Sequence, residues 1–230
     1  MNVRTTIVFS SLALIYLATL PLTPYVAQFL PKALPIVVLA VFAYTKLSTM
    51  PRYMVLAALL FSLAGDVSLA LPFADSFITG LACFFVAHLT YAMCFALLHR
   101  RLQETPGDHI ISRKPKWFIS IIMVSFAVMM AVHILPASKA LFYPVVAYIS
   151  VITLMGLTAV WLAQTKLIVT GALLFVISDA ILAQSVFKIP LPLSTFWVMT
   201  TYYGAQYCLT MGLVDGFLRK ENRQEEIGQT

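Results

Sequence analysis

Eight mainly apolar stretches follow one another along the chain, at 6–22, 27–45, 53–71, 77–98, 117–134, 141–163, 167–187 and 193–214. Each is close to the roughly 17 to 25 residues that an α-helix needs to cross a bilayer. Polar or proline-marked breaks separate them. The pattern predicts an all-α polytopic membrane protein of about eight transmembrane helices, one helical domain over residues 1–218 with a polar tail over 219–230. Pro31 and Pro35 interrupt one end of the second stretch. Each removes a backbone donor, which leaves a half-helix or a kinked helix open there. The first stretch follows Arg4 as a signal peptide would, but no small-x-small cleavage site comes after it, so it is read as helix one.

Composition removes the soluble alternatives, since 61% of residues are hydrophobic, 10% are charged and mean hydropathy is +0.92. The charges add an orientation, because lysine and arginine concentrate in cytoplasmic loops. With the N-terminus inside, the cytoplasmic side holds Arg4, Lys46, Arg52, Arg100, Arg101, Arg113, Lys114, Lys116, Lys166, Arg219, Lys220 and Arg223, leaving only Lys32, Lys139 and Lys188 of the 15 basic residues outside. An even number of spans with both termini cytoplasmic fits that split. The net charge of +6 is therefore read as a topology signal beside an anionic bilayer surface, and no nucleic-acid partner is expected. Cys83, Cys94 and Cys208 all fall within spans and read as buried thiols.

Two acids sit inside this apolar sequence. Asp66 lies in the run 59–71 and Asp179 in the run 172–183, where an ionised carboxylate costs roughly 2.5 to 3.5 kcal/mol on insertion scales. Ala-Leu-Leu-Phe precedes both, at 58–61 and 172–175. The two helices point the same way, and counting back from Leu71 and Phe187 at 1.5 Å per residue puts both acids roughly 7 to 12 Å below the outer surface. They can meet at one level. A parallel 4+4 repeat, related by an axis along the membrane normal, would deliver them so.

Other polar groups fall near the same depth. Helix four carries His88 and Tyr91, and helix eight carries Tyr203, Gln206, Tyr207 and Thr210 as one stripe, with Tyr202 beside it. Lys32, next to Pro31, can reach an acid or a lipid phosphate. Each has a plainer reading, as an interhelical hydrogen bond or, for Lys32, as a snorkelling side chain. Walker loops, Gly-x-Gly-x-x-Gly, His-Glu-x-x-His, Gly-x-Ser-x-Gly and Cys-x-x-Cys are all missing, and His88, His99, His109 and His133 fall at different depths, so no metal and no cofactor is expected.

Leu60-Phe61-Ser62-Leu63-Ala64-Gly65-Asp66, Phe77-Ile78-Thr79-Gly80 with Ala87-His88 and Tyr91, Gly171 through Ser178-Asp179, Tyr202-Tyr203-Gly204-Ala205-Gln206, and Lys32 with Leu34-Pro35 together resemble the motifs of the YhhN-like lysoplasmalogenases. The resemblance spans most of the chain in matching helix order. It implies hydrolysis of the vinyl ether bond of lysoplasmalogens, a lysophospholipid substrate, to a fatty aldehyde and glycerophosphoethanolamine or glycerophosphocholine. Asp66 and Asp179 become the candidate catalytic pair, with Lys32, His88, Tyr91, Tyr202, Tyr203 and Gln206 as substrate-binding groups. Membrane lipids are the expected neighbours and the bacterial cytoplasmic (inner) membrane the expected location. The chemistry suits two buried carboxyls: protonation of the outer alkene carbon gives an oxocarbenium ion that water captures, and a close carboxyl pair tends to hold one shared proton. An intramembrane aspartyl protease, a proton-coupled transporter and a lipid-binding or receptor-like protein are the alternatives.

Overall fold

The computed structural model describes residues 3–103, 113–163 and 165–228, so His109 and the loop around it lie outside the described residues. Among them the regular structure is helical throughout. Eight α-helices follow in order: α1 (Val3–Thr19), α2 (Phe29–Lys46), α3 (Thr49–Ala70), α4 (Ser76–Gln103), α5 (Arg113–Ser138), α6 (Phe142–Thr158), α7 (Lys166–Phe187) and α8 (Ser194–Gly228). Single 3-10 turns at Leu20–Leu22 and Lys139–Leu141 extend α1 and precede α6, and α6 widens into a π turn over Ala159–Ala163. Each predicted apolar stretch falls on one α-helix.

The second helix is continuous through both prolines. Pro31 occupies its first turn, where backbone N–H groups have no intrahelical partner anyway, and Pro35 lies inside it. Immediately after Pro31, the Lys32 carbonyl takes a hydrogen bond from the Tyr203 hydroxyl of α8 at 2.8 Å. A side chain from the neighbouring helix thus braces the proline-containing segment. At the other end of α2, Leu47 and Ser48 alone connect it to α3. Arg52 clamps that turn, donating Nε–H to the Leu47 carbonyl at 2.6 Å and laying its guanidinium 4.8 Å from the Tyr44 ring centre.

Among the described residues, six helical stretches are long and apolar enough to cross a membrane: Val3–Leu22, Phe29–Lys46, Thr49–Ala70, Ser76–Arg101, Pro115–Ala163 and Lys166–Phe187. The fifth, 49 residues long, takes in both α5 and α6. α8 stands outside this set for a physical reason: its polar positions Tyr202, Tyr203, Gln206 and Thr210 lower its hydropathy, yet all four are buried. It is polar toward protein, not toward solvent. The backbone of α8 also continues through the expected tail to Gly228.

α8 is the hub, packed against α7, α2, α4, α1 and α3, whereas α5 packs mainly against α6, α7 and the turns flanking α6. α5 accordingly presents Trp117, Phe118, Ile121, Ile122, Val128 and Val132 outward, an apolar face suited to lipid. Glycines mark close approaches between helices. A Cβ on Gly171 would lie 2.9 Å from the Leu209 nitrogen and 3.0 Å from the Ala205 carbonyl oxygen, both backbone atoms of α8. Small residues allow this backbone contact, which lipid-exposed helices need because the hydrophobic effect does not drive them together.

Gly171→Ala is expected to force α7 and α8 apart and lower stability by about 1–3 kcal/mol. Gly204→Ala meets only Leu174 Cδ1, at 3.2 Å, and gains up to about 1 kcal/mol of helix propensity, so it should be close to neutral. Thermal unfolding of the two variants in detergent checks the contrast, and equal shifts would remove the backbone contact as the cause.

Candidate active site

Asp66 reaches the interior because its neighbour has no side chain. A Cβ on Gly65 would lie 2.7 Å from the Phe84 ring of α4, so glycine lets α3 and α4 close up just where the acid is buried. Asp66 is 3% exposed, and both its carboxylate oxygens are engaged. Lys32 Nζ of α2 lies 3.2 Å from Oδ1 and also donates to the Asp66 backbone carbonyl at 3.2 Å. The Tyr202 hydroxyl of α8 donates to Oδ2 at 2.6 Å. Lys32 therefore turns inward and pairs with the acid in place of snorkelling.

Asp179, on α7, has a different set of partners. Its Oδ2 accepts from the Tyr148 hydroxyl of α6 at 2.6 Å, and His88 Nε2 of α4 stands 3.2 Å from the same oxygen and 3.1 Å from the Tyr148 hydroxyl. His88 is fully buried, whereas the Asp179 side chain is 12% exposed. Next to it, Ser178 fixes the helix by donating to the Val198 carbonyl of α8 at 3.0 Å.

The two carboxyls are joined by rings and not by a hydrogen bond. Phe175 packs edge-on to Tyr202 at 5.4 Å and to His88 at 4.5 Å between centroids, and Phe84 adds a second edge contact to Tyr202 at 5.9 Å. Sequence reasoning expects one proton held jointly by close acids; in the structure each acid has its own donors. Tyr91 and Gln206, also expected at the site, are both fully buried and bonded to each other, Tyr91 hydroxyl to Gln206 Oε1 at 2.6 Å. Tyr203 serves α2 through the Lys32 carbonyl.

A cavity of about 40 Å³ borders Asp179 and Tyr148, walled by Leu69, Phe77, Leu81, Phe84, Leu182 and Ala183. That is room for water, which needs roughly 10–15 Å³ of such space. Of the candidate catalytic and substrate-binding residues, only Asp179 lines it, together with Phe77 of the family motif. Tyr148 was not anticipated. Its one signal is a hydroxyl-bearing ring inside an apolar helix, which is equally the mark of an interhelical bond.

The sequence profile of the YhhN family matches residues 27–213, a segment that holds every residue just described. The chain belongs to the YhhN family. It is 36% identical over 185 residues to human lysoplasmalogenase TMEM86B, covering 79% of this chain and 73% of the human one. To bovine lysoplasmalogenase TMEM86A it is 29% identical over 171 residues, 70% of this chain and 65% of the relative. Pig lysoplasmalogenase TMEM86B is 32% identical over 160 residues, with 68% and 61% coverage. No solved structure matches the chain.

The Lys32–Asp66 pair makes a stability prediction. Breaking a buried pair leaves an uncompensated charge, at a cost of about 3–5 kcal/mol, whereas replacing both partners is often neutral. Lys32→Met should therefore destabilise strongly, and Lys32→Met with Asp66→Asn should recover most of the loss. A double-mutant cycle on unfolding measures this, and additive penalties would show that the pair is not coupled.

Proposed function

We propose that this protein is a membrane-embedded ether hydrolase that cleaves the vinyl ether bond of lysoplasmalogens, releasing a fatty aldehyde and glycerophosphoethanolamine or glycerophosphocholine. The observation that carries this reading is a buried carboxyl, Asp66, and a half-buried one, Asp179, bridged by one aromatic cluster, with a water-sized cavity against the second. The names borne by its relatives give the substrate class.

The reaction needs a proton for the outer alkene carbon, a negative charge near the oxocarbenium ion that results, and a base for the attacking water. Two carboxyls held away from bulk solvent can supply all three. Lys32 and Tyr202 are assigned to holding Asp66, and His88, Tyr91, Tyr203 and Gln206 to orienting the acids and the head group.

The same proposal includes eight spans with both termini cytoplasmic, in a bacterial inner membrane, and a parallel 4+4 repeat. Supporting the repeat, Asp66 on α3 takes a partner from the preceding helix α2 and one from α8, while Asp179 on α7 takes one from the preceding helix α6 and one from α4. Each acid is thus held by its own half and by the last helix of the other. Such an arrangement also suits a proton-coupled transporter, and proteoliposomes separate the two by aldehyde release against accumulation dependent on a pH gradient.

Asp66→Asn and Asp179→Asn should each lower turnover by about a hundredfold or more, the scale on which acid–base catalysis contributes, in protein that still folds. Near wild-type aldehyde release by either folded variant would remove that residue from the chemistry.

Protonation at carbon leaves an isotopic record. Turnover in deuterated water, with immediate reduction of the product, should give an alcohol with one deuterium on the carbon next to the former aldehyde. A saturated ether analogue, with no alkene to protonate, should survive. Unlabelled product, or equal cleavage of the saturated lipid, would rule out vinyl ether protonation.

A further inference from the structure

The two acids differ in how many oxygens the protein leaves free, and that difference sorts their roles. On Asp66, Oδ1 is paired with Lys32 and Oδ2 accepts from Tyr202, and the residue is 3% exposed. It does not line the cavity. On Asp179, Tyr148 and His88 both converge on Oδ2. Among the described residues Oδ1 has no protein partner, and Asp179 borders the space of about 40 Å³.

We propose that Asp179 alone exchanges the proton with substrate, through Oδ1, that Tyr148 is a positioning residue acting on it through Oδ2, and that Asp66 is a fixed charge neutralised by Lys32. The assignment rests on the vinyl ether reading. In that reaction the Oδ1–H bond of neutral Asp179 breaks as the alkene electron pair forms a new C–H bond, and the O–H electrons stay on the carboxylate. The ether oxygen shares its lone pair to make the oxocarbenium ion. Water adds to that cation and returns a proton to Oδ1, which restores the acid, and the hemiacetal then collapses to aldehyde and alcohol.

Tyr148 acts where charge develops. A neutral carboxyl can accept two hydrogen bonds on its carbonyl oxygen while its O–H points elsewhere, and the geometry at Asp179 fits that form. When the proton leaves, negative charge grows on Oδ2, and the bond from Tyr148 becomes charge-assisted and stronger. A donor placed at a site of developing charge favours the transition state over the ground state. His88, in the tautomer that carries hydrogen on Nε2, adds to the effect.

The distinction from a shared-proton pair is testable with purified chain in phosphatidylcholine proteoliposomes supplied with lysoplasmalogen in deuterated water. Asp66→Asn strands the Lys32 charge, so Lys32→Met with Asp66→Asn should recover at least about tenfold of the lost turnover, still with one deuterium in the product. Tyr148→Phe keeps the ring and should lower kcat by about a hundredfold with KM within about twofold and unfolding temperature unchanged, the signature of an interaction made in the transition state. A neutral double variant as inactive as Asp66→Asn would overturn the assignment in favour of a proton held by both acids. A Tyr148→Phe chain with raised KM and unchanged kcat would overturn the role of Tyr148. Wild-type chain that releases no aldehyde would reject the hydrolase reading itself, and the assignment with it.

Discussion

A carboxyl surrounded by hydrocarbon has to find its hydrogen bonds and counter-charges within the protein, because lipid offers none. Two such groups in a chain of 230 residues therefore dictate where six of the eight helices must lie. Asp66 on α3 draws in α2 through Lys32 and α8 through Tyr202. Asp179 on α7 draws in α6 through Tyr148 and α4 through His88. Among the described residues, α1 and α5 supply no hydrogen bond or ion pair to either carboxyl. α1 packs its Phe9 and Tyr16 against Tyr203, and α5 lies at the edge.

Close packing makes these contacts affordable in length. Gly65 admits Phe84, and Gly171 admits the backbone of α8, so side chains as short as aspartate can reach donors on neighbouring helices. The same Phe84 lines the cavity and meets Tyr202. Packing and chemistry thus share residues, and changes at Gly65 or Phe84 act on both.

Much of the fold was legible because bilayer thickness sets helix length, so apolar runs mark helices without any knowledge of their packing. The exception is instructive. α8 loses hydropathy through Tyr202, Tyr203, Gln206 and Thr210, the residues it buries. Hydropathy records what a side chain is, not which way it points. The candidate site was legible as far as charge is rare in such a sequence, which singles out Lys32, Asp66 and Asp179. Tyrosines are common here, 10 in all, so nothing local separates Tyr148 from Tyr143, which is 81% exposed. Burial against Asp179 comes from the crossing of α6 and α7 and has no trace in spacing. Matching depth likewise marks the two acids in the sequence, but the donors that hold each of them come from helix crossings that spacing does not record.

The short α2–α3 connection bears on how the chain enters the bilayer. Lys32 and Asp66 belong to one helical hairpin closed by Leu47 and Ser48, so their opposite charges can pair while the hairpin is still inserting and share a single desolvation event. Asp179 has no basic residue within α7 at its depth, and its partners come from α4 and α6. The counter-charge of Asp66 thus lies within its own helical hairpin, while every partner of Asp179 must be brought from another helix.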